Sequence, residues 1–519
     1  MSNLDKTSVI IVGGSLVGLS TALFLSNFKV PVILLERHAG SSPHPRAIGY
    51  TARTLEIFRA MGIESRLPES KFKGGPPRRV VVESLTGKWQ DEQHWTPKPA
   101  GAGPGKNGGK PKGQDEYSPV SGIASAQDKI EPVLREAAIE KGADLRLGWK
   151  VTNWTQNDDG VTVTAVNKDG KEQHIEGKYL VACDGARSPI REQLGIKRDG
   201  IEGREDGFKG FMTNYGQGRW ALMWNPTEGS TPSKDDATQK DFIRKAIGKE
   251  IPDSDIDIIT TGEWDLSGLI ADKFSSGRIF LAGDAAHALP PNRGGYGANT
   301  GISDAHNLAW KLAAVLTGAS SPELLETYDA ERRPVALVRH DQIFVRDDYQ
   351  RFLVDREWKG EGIKILDDSA VEFGQIYKSG AVIGAGDDLP PAKRPDEWNG
   401  QAGTRAPHIS MRRGGDIISS LDLFCQGWVL ISKDEAWKAT IKDAGEATGV
   451  ECSFVQVGNE IDEVKKGGFG ESFGVDDTGA VLVRPDGYIA WKMASGSEDR
   501  SALLKEALGK TSYSVKHSA

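Results

Sequence analysis

The stretch Ser8-Val9-Ile10-Ile11-Val12-Gly13-Gly14-Ser15-Leu16-Val17-Gly18 limits what this chain can become more than any other. Its β-branched run reads as a buried strand, the glycine pair as a tight turn, and the apolar segment from Leu19 to Phe28 as a helix. A second apolar run, Val32-Ile33-Leu34-Leu35, ends in Glu36. Strand, turn, helix and strand in this order commit the chain to a parallel sheet covered by helices. At the turn, the free N–H groups and the positive dipole end of the helix face any anion that approaches. Gly13 permits the turn, position 15 must be small enough for a phosphate to come close, and Gly18 lets helix and strand pack together. Serine stands at position 15, so the G-x-G-x-x-G pattern fails at its middle glycine but keeps a small residue there. Glu36, 18 residues beyond Gly18, is placed to accept hydrogen bonds from a ribose. The unit alone separates neither NAD from FAD nor a nucleotide site from a tight turn in an unrelated α/β protein.

Two distant segments narrow the choice. The buried run Tyr179-Leu180-Val181-Ala182 leads into Asp184-Gly185-Ala186-Arg187-Ser188, and Arg278-Ile279-Phe280-Leu281-Ala282 leads into Gly283-Asp284. FAD is long, and its ribitol needs a polar anchor far along the chain. Asp284 suits that role, although an aspartate there could also cap a helix. A Gly/Pro-rich loop then runs to Asn299, followed by a helix with Leu308, Leu312, Val315 and Leu316 on its apolar face. Helices are also expected over Thr51–Met61 and Gln127–Lys141, and a strand over Val161–Thr164. Lys98–Gln114 reads as a solvated insertion and Gly195–Gly210 as a charged, glycine-rich stretch without a strand. Beyond Gly400 the pattern changes to that of a small separate domain.

The whole chain, 519 residues with 62 glycines, is long enough for two to four domains and rich in turns or close backbone approaches. A formal charge of −8 argues against a nucleic-acid binder. Cys183, Cys425 and Cys452 form no CxxC pair and no metal cluster, which fits a reducing, cytoplasmic setting. No apolar run reaches the roughly 18 residues of a membrane span, so no membrane partner is expected.

These segments together resemble the class A flavoprotein monooxygenases, the superfamily of para-hydroxybenzoate hydroxylase and phenol hydroxylase. The residues that carry the likeness are VIIVGGSLVGLS (9–20), CDGARSPIR (183–191) and GDAAHALPPNRGGYGANTGISDAHNLAWKLAAVL (283–316). GTRAPH (403–408), SSLDLF (419–424) and RPDGYIAW (484–491) resemble the thioredoxin-like domain of the phenol and aromatic-polyketide hydroxylase branch. The implied fold is α/β: a Rossmann-like FAD-binding domain (1–72, 118–196, 270–345), an inserted mixed β-sheet substrate domain (73–117, 197–269, 346–399) and a C-terminal thioredoxin-like α/β domain (400–519). Isolated cysteines would leave that last domain without dithiol chemistry.

The resemblance also implies roles. Gly13, Gly14, Ser15 and Gly18 would hold the FAD diphosphate, and Glu36 the adenosine ribose, with Arg37 beside it in the cofactor set. Arg46 would reach the pyrophosphate region, Gln127 the cofactor, and the backbone at Val151 the adenine. Asp184, with Arg187 and Ser188, would serve FAD and nicotinamide, and Asp284 the ribitol. Pro290 and Pro291 would line the flavin face, and the backbone at Gly297, Ala298 and Asn299 would hold the pyrimidine end. Tyr50, Arg53 and Tyr215 are candidates to touch substrate. Each has a bland alternative in packing or at the surface, as do Arg46 in a salt bridge and Gln127 as a cap. His287 reads as structural and is left out of catalysis; no metal is expected.

The implied activity uses NADPH or NADH to reduce non-covalently bound FAD. O2 then forms a flavin C4a-hydroperoxide, which hydroxylates a phenolic or polycyclic, polyketide-like aromatic. Baeyer–Villiger insertion and epoxidation are rivals on the same scaffold. A flavin-binding partner protein with little turnover is a third reading, favoured by a middle domain that looks abbreviated. Assembly into a homo-oligomer is left open.

Overall fold

The computed structural model describes residues 4–42, 47–69, 78–94, 116–202, 210–216, 218–224, 235–262, 267–290, 295–346, 360–459 and 461–517. The insertion at 98–114 and the expectations for Arg46 and Pro291 lie outside the described residues.

Strand β1 (Val9–Val12), helix α1 (Leu16–Asn27) and strand β2 (Val32–Glu36) form the βαβ unit expected from the sequence. Helix α2 (Ala52–Ala60), helix α3 (Gln127–Glu140), β3 (Asp144–Leu147), β4 (Tyr179–Ala182) and β5 (Ile279–Leu281) come next in chain order. The main sheet runs β5-β4-β1-β2-β3, all parallel, with the short strand Ser275–Ser276 antiparallel at the β5 edge. Every residue of β1 and β4 is buried. That explains why they read as continuous apolar runs: a parallel sheet is covered on both faces. Helix α1 is apolar nearly all round and packs between α3 and α4 (Tyr296–Leu316), with α5 (Thr327–Phe344) behind α4.

A second sheet pairs Trp149–Gln156, Val161–Asn167 and Glu172–Gly177 antiparallel, with Leu4–Lys6 added in parallel. The middle of the chain contributes the antiparallel pairs Arg78–Val82 with Trp89–His94 and Gly210–Gly216 with Arg219–Trp224, and the helix Asp236–Ile247. It also forms a small sheet of Arg198–Glu202, Ser267–Ala271 and His287–Ala288. The strand Arg198–Glu202 corrects the reading of 195–210 as strandless. Its Gly200 (φ +143°) looked like a loop residue, but a Cβ there would lie 1.9 Å from the carbonyl oxygen of Gly268. The glycine is required by the strand pairing itself.

The C-terminal region forms β6 (Trp428–Ser432), α6 (Trp437–Thr448), β7 (Cys452–Gln456), β8 (Ala480–Val483), β9 (Ile489–Met493) and α7 (Arg500–Thr511). The order is β7-β6-β8-β9, with β6 and β7 parallel and the other pairs antiparallel. A βαβ unit succeeded by a ββα unit in this order is the thioredoxin-like topology. Among the described residues, no helix is long and apolar enough to cross a membrane.

Candidate active site

The parallel strands end in register. Val12 lies opposite Ala182 on one side and Leu35 on the other, and Ala182 lies opposite Leu281. The segments leaving the strands therefore gather along one edge: Gly13-Gly14-Ser15 after β1, Glu36 closing β2, Asp184 after β4 and Gly283-Asp284 after β5. Ligands of open parallel sheets bind at this carboxyl edge.

The backbone at the edge is closely packed. Gly13 (φ +105°) sits against Cys183, whose carbonyl oxygen would be 2.3 Å from an added Cβ, and a Cβ at Gly18 would lie 1.8 Å from the Gly13 oxygen. Glu36 accepts from the N–H of Gly14 at 2.6 Å through one carboxylate oxygen and from the N–H of His38 at 2.8 Å through the other. This fixes the carboxylate beside the turn. Arg37 is exposed and donates through Nε to His38. Val151 lies in the second sheet, its backbone paired with Ala165.

Helix α3 reaches the same turn. Gln127 Nε2 donates to Ser15 Oγ at 2.8 Å and to Glu131 Oε1 at 2.7 Å, and its Oε1 accepts from the N–H of Ala47 at 3.2 Å. The Ser15 hydroxyl donates to Glu131 Oε1 at 2.8 Å. Glu131 is missed by sequence reasoning, although its place one helical turn from Gln127 is the signal that could have found it.

Both carboxylate oxygens of Asp184 are shut off from solvent. Burial pushes this carboxyl up, while the nearby Ser188 hydroxyl and backbone groups pull it back. Ser188 Oγ accepts from the N–H of Arg191 and caps the short helix there; Arg187 is exposed.

Helix α4 begins at Tyr296, earlier than the sequence reading, which ran the loop to Asn299. The reason is the Asn299 side chain. Its Oδ1 accepts from the N–H of Thr51 at 3.0 Å and from Thr54 Oγ1 at 2.6 Å, and its Nδ2 donates to the carbonyls of Gly49 at 3.1 Å and Gly295 at 2.8 Å. Gly297 and Ala298 thus lie in the first turn, where backbone N–H groups lack intrahelical acceptors, while the N–H of Asn299 donates to the Gly295 carbonyl at 3.5 Å. An added Cβ at Gly297 would be 4.0 Å from Asp284 Oδ1 and 3.8 Å from the Leu289 oxygen, so Asp284 and the start of α4 lie close together. Buried Asp304 supports this corner. It accepts from His287 Nε2 at 2.6 Å, Arg332 Nε at 2.8 Å and the N–H of Gly283 at 3.3 Å. Burial opposes its charge, but His287 and Arg332 hold the carboxyl low. Asp304 too is missed by sequence reasoning; a carboxylate on the buried side of an apolar helix was its signal.

The substrate candidates separate. Tyr50 is 2% exposed, its hydroxyl has no hydrogen-bond partner among the described residues, and burial pushes it well up, with Glu131 and Asp128 adding to the rise. Arg53 is buried against Glu56, with 2.9 Å between Nη1 and Oε2, and its Nη2 donates to the Asp486 carbonyl at 3.3 Å, toward the C-terminal region. Tyr215 lies in the strand Gly210–Gly216, at a register shift opposite Arg219–Trp220.

An uncapped helix start, the fixed Glu36 carboxylate, the buried Asp184 and the first turn of α4 lie along one sheet edge, a layout that suits an extended dinucleotide. The chain matches the FAD-binding domain family over residues 6–213 and 205–341, and the aromatic-ring hydroxylase C-terminal family over 399–511. The chain belongs to the FAD-dependent aromatic-ring hydroxylases. It is 35% identical to a 4-methyl-5-nitrocatechol 5-monooxygenase of Burkholderia sp., over 97% of each chain. It is also 35% identical to a putative polyketide hydroxylase of Streptomyces halstedii, over 94% of each. Among solved structures it superposes on an aklavinone-11 hydroxylase bound to FAD and aklavinone with a TM-score of 0.84 and 29% identity, covering 99% of this chain and 100% of that one. The hydroxylase is therefore an FAD-dependent monooxygenase, as the motifs implied.

Proposed function

We propose that the hydroxylase binds FAD non-covalently along this edge, takes reducing equivalents from NADPH or NADH, and uses O2 to hydroxylate a phenolic ring of a fused, polyketide-like aromatic in the cytoplasm. The observation that carries the reading is the convergence of α1, Glu36, Asp184, Asp284 and the first turn of α4 on one sheet edge. The whole-chain likeness to an aklavinone hydroxylase supports a fused-ring substrate, and the three free cysteines favour a reducing compartment.

FAD, when bound, would supply the redox chemistry that links the nicotinamide, O2 and the aromatic ring. The protein's part is positional. The first turn of α1 takes the diphosphate, and Glu36 accepts from the adenosine ribose. Asp284 accepts from a ribitol hydroxyl. The free N–H groups opening α4 stabilise negative charge at the pyrimidine end. Burial, with Glu131 and Asp128 nearby, keeps the Tyr50 hydroxyl protonated.

The test is NADPH and NADH oxidation by the FAD-loaded enzyme, with O2 uptake and product mass, across mono- and polycyclic phenols. A fused phenol should accelerate oxidation and gain one oxygen atom from labelled O2. Acceleration by monocyclic catechols alone would overturn the fused-ring assignment, and a ring-expanded lactone would overturn hydroxylation.

A further inference from the structure

We propose that Glu131 is a positioning residue for the cofactor diphosphate, acting through Ser15; the inference rests on the proposed binding of FAD. A serine at a helix N-cap ordinarily turns its hydroxyl back to accept from N–H groups of the first turn. Ser15 is the N-cap of α1 and has the extended backbone suited to capping (φ −89°, ψ −170°), yet its side chain makes no capping bond. Its hydroxyl is drawn away instead, donating to Glu131 and accepting from Gln127, both at 2.8 Å. Glu131 is 2% exposed and Gln127 is 6% exposed, so these bonds are sheltered from water.

The consequence falls on the anion site. N–H groups that a capping hydroxyl would occupy stay open toward the sheet edge. A glycine at this position has no hydroxyl to compete with a phosphate. Glu131 lets a serine behave as that glycine would. Without Glu131, the Ser15 hydroxyl is released to cap α1, and the diphosphate must displace it. An N-cap bond of ordinary strength corresponds to about tenfold in affinity.

The test titrates cofactor-stripped protein with FAD, monitoring the quenching of flavin fluorescence, for wild type, Glu131→Ala, Ser15→Ala and the double variant. Glu131→Ala should weaken FAD about tenfold in the wild-type background, and the same substitution made in the Ser15→Ala background should change affinity by no more than about twofold. Glu131→Gln, which keeps an acceptor, should restore most of the affinity. If Glu131→Ala does not fold, Glu131→Leu fills the space, and the same loss and the same rescue by Ser15→Ala are expected. Equal weakening with and without the Ser15 hydroxyl would make Glu131 merely structural and overturn the proposal. A large loss on Ser15→Ala alone would do the same, because the hydroxyl would then serve the cofactor directly. A wild type that binds no FAD would overturn the flavin reading and this inference with it.

Discussion

Two glycines on the same edge should respond in opposite ways to a side chain. At Gly18 an added Cβ would lie 1.8 Å from a backbone oxygen that cannot move without distorting the turn after β1. Gly18→Ala should therefore cost stability, about 1–3 kcal/mol or more, in chemical denaturation of the cofactor-free protein. At Gly297 the nearest atoms outside its own helix, among the described residues, are 3.8 and 4.0 Å away, an ordinary contact distance. Gly297→Val should leave the cofactor-free fold nearly as stable as wild type and weaken FAD at least tenfold, because the side chain fills the space before α4. Normal FAD titration of that variant would remove the first turn of α4 from the cofactor site. Asp284→Ala should likewise lose FAD affinity about ten- to a hundredfold, the worth of a charge-assisted hydrogen bond. Glu36, Asp184 and Asp284 were legible in the sequence because each closes an apolar strand run, where the sheet edge must be. Glu131 and Asp304 were not, because a carboxylate within a helix ordinarily marks a solvated face, and only the packing of α3 and α4 turns these two inward.

The same contrast holds for whole elements. Strands β1, β2, β4 and β5 announced themselves because a strand buried on both faces is a continuous apolar run. The strand Arg198–Glu202 was hidden by its own requirement for Gly200, and the first turn of α4 by glycines that mimic a loop. That turn is fixed by a side chain reaching across the fold: Asn299 bonds α2 and the Gly49–Tyr50 strand to α4, a contact no local pattern records. Asn299 is 1% exposed. Its loss would strand the N–H of Thr51, the hydroxyl of Thr54 and the carbonyl of Gly49. Asn299→Ala should cost about 2–4 kcal/mol in urea unfolding, more than a single hydrogen bond, because buried partners are left unpaired. Asn299→Asp, which keeps the acceptor but not the donor, should fall between. A loss below about 0.5 kcal/mol for Asn299→Ala would show that the start of α4 is held by something else.

At the scale of the molecule, the C-terminal region is fastened to α4 and α5 by buried charge. Arg484 binds both carboxylate oxygens of Glu331, at 2.6 and 2.9 Å, and also Asp486, while Lys311 donates to Glu331 at 2.8 Å and Asn307 bridges Glu331 and Asp486. His306 lies beside this cluster, its ring edge-on to Phe24 with centroids 5.4 Å apart. Burial lowers His306 to about 3, with Arg53 and Arg332 pushing the same way and Asp486 opposing them. The unfolded chain takes up that proton near pH 6.5, but the folded protein does not until far lower. Between those values the unfolded state holds the extra proton, so stability rises with pH and is lost as pH falls from 6.5. Over the interval from about pH 7.5 to 5.5, His306 should account for about 1.4 kcal/mol of the loss. This window lies mostly above the titration of carboxylates such as Glu331, which is held low by Arg484 and Lys311 against its burial. His408, lowered mainly by burial, adds in the same direction. The measurement is urea unfolding at half-unit steps of pH for wild type and His306→Phe. The variant should show a shallower dependence in this window, with the difference vanishing above pH 7.5; identical slopes would mean that His306 takes its proton in the folded protein.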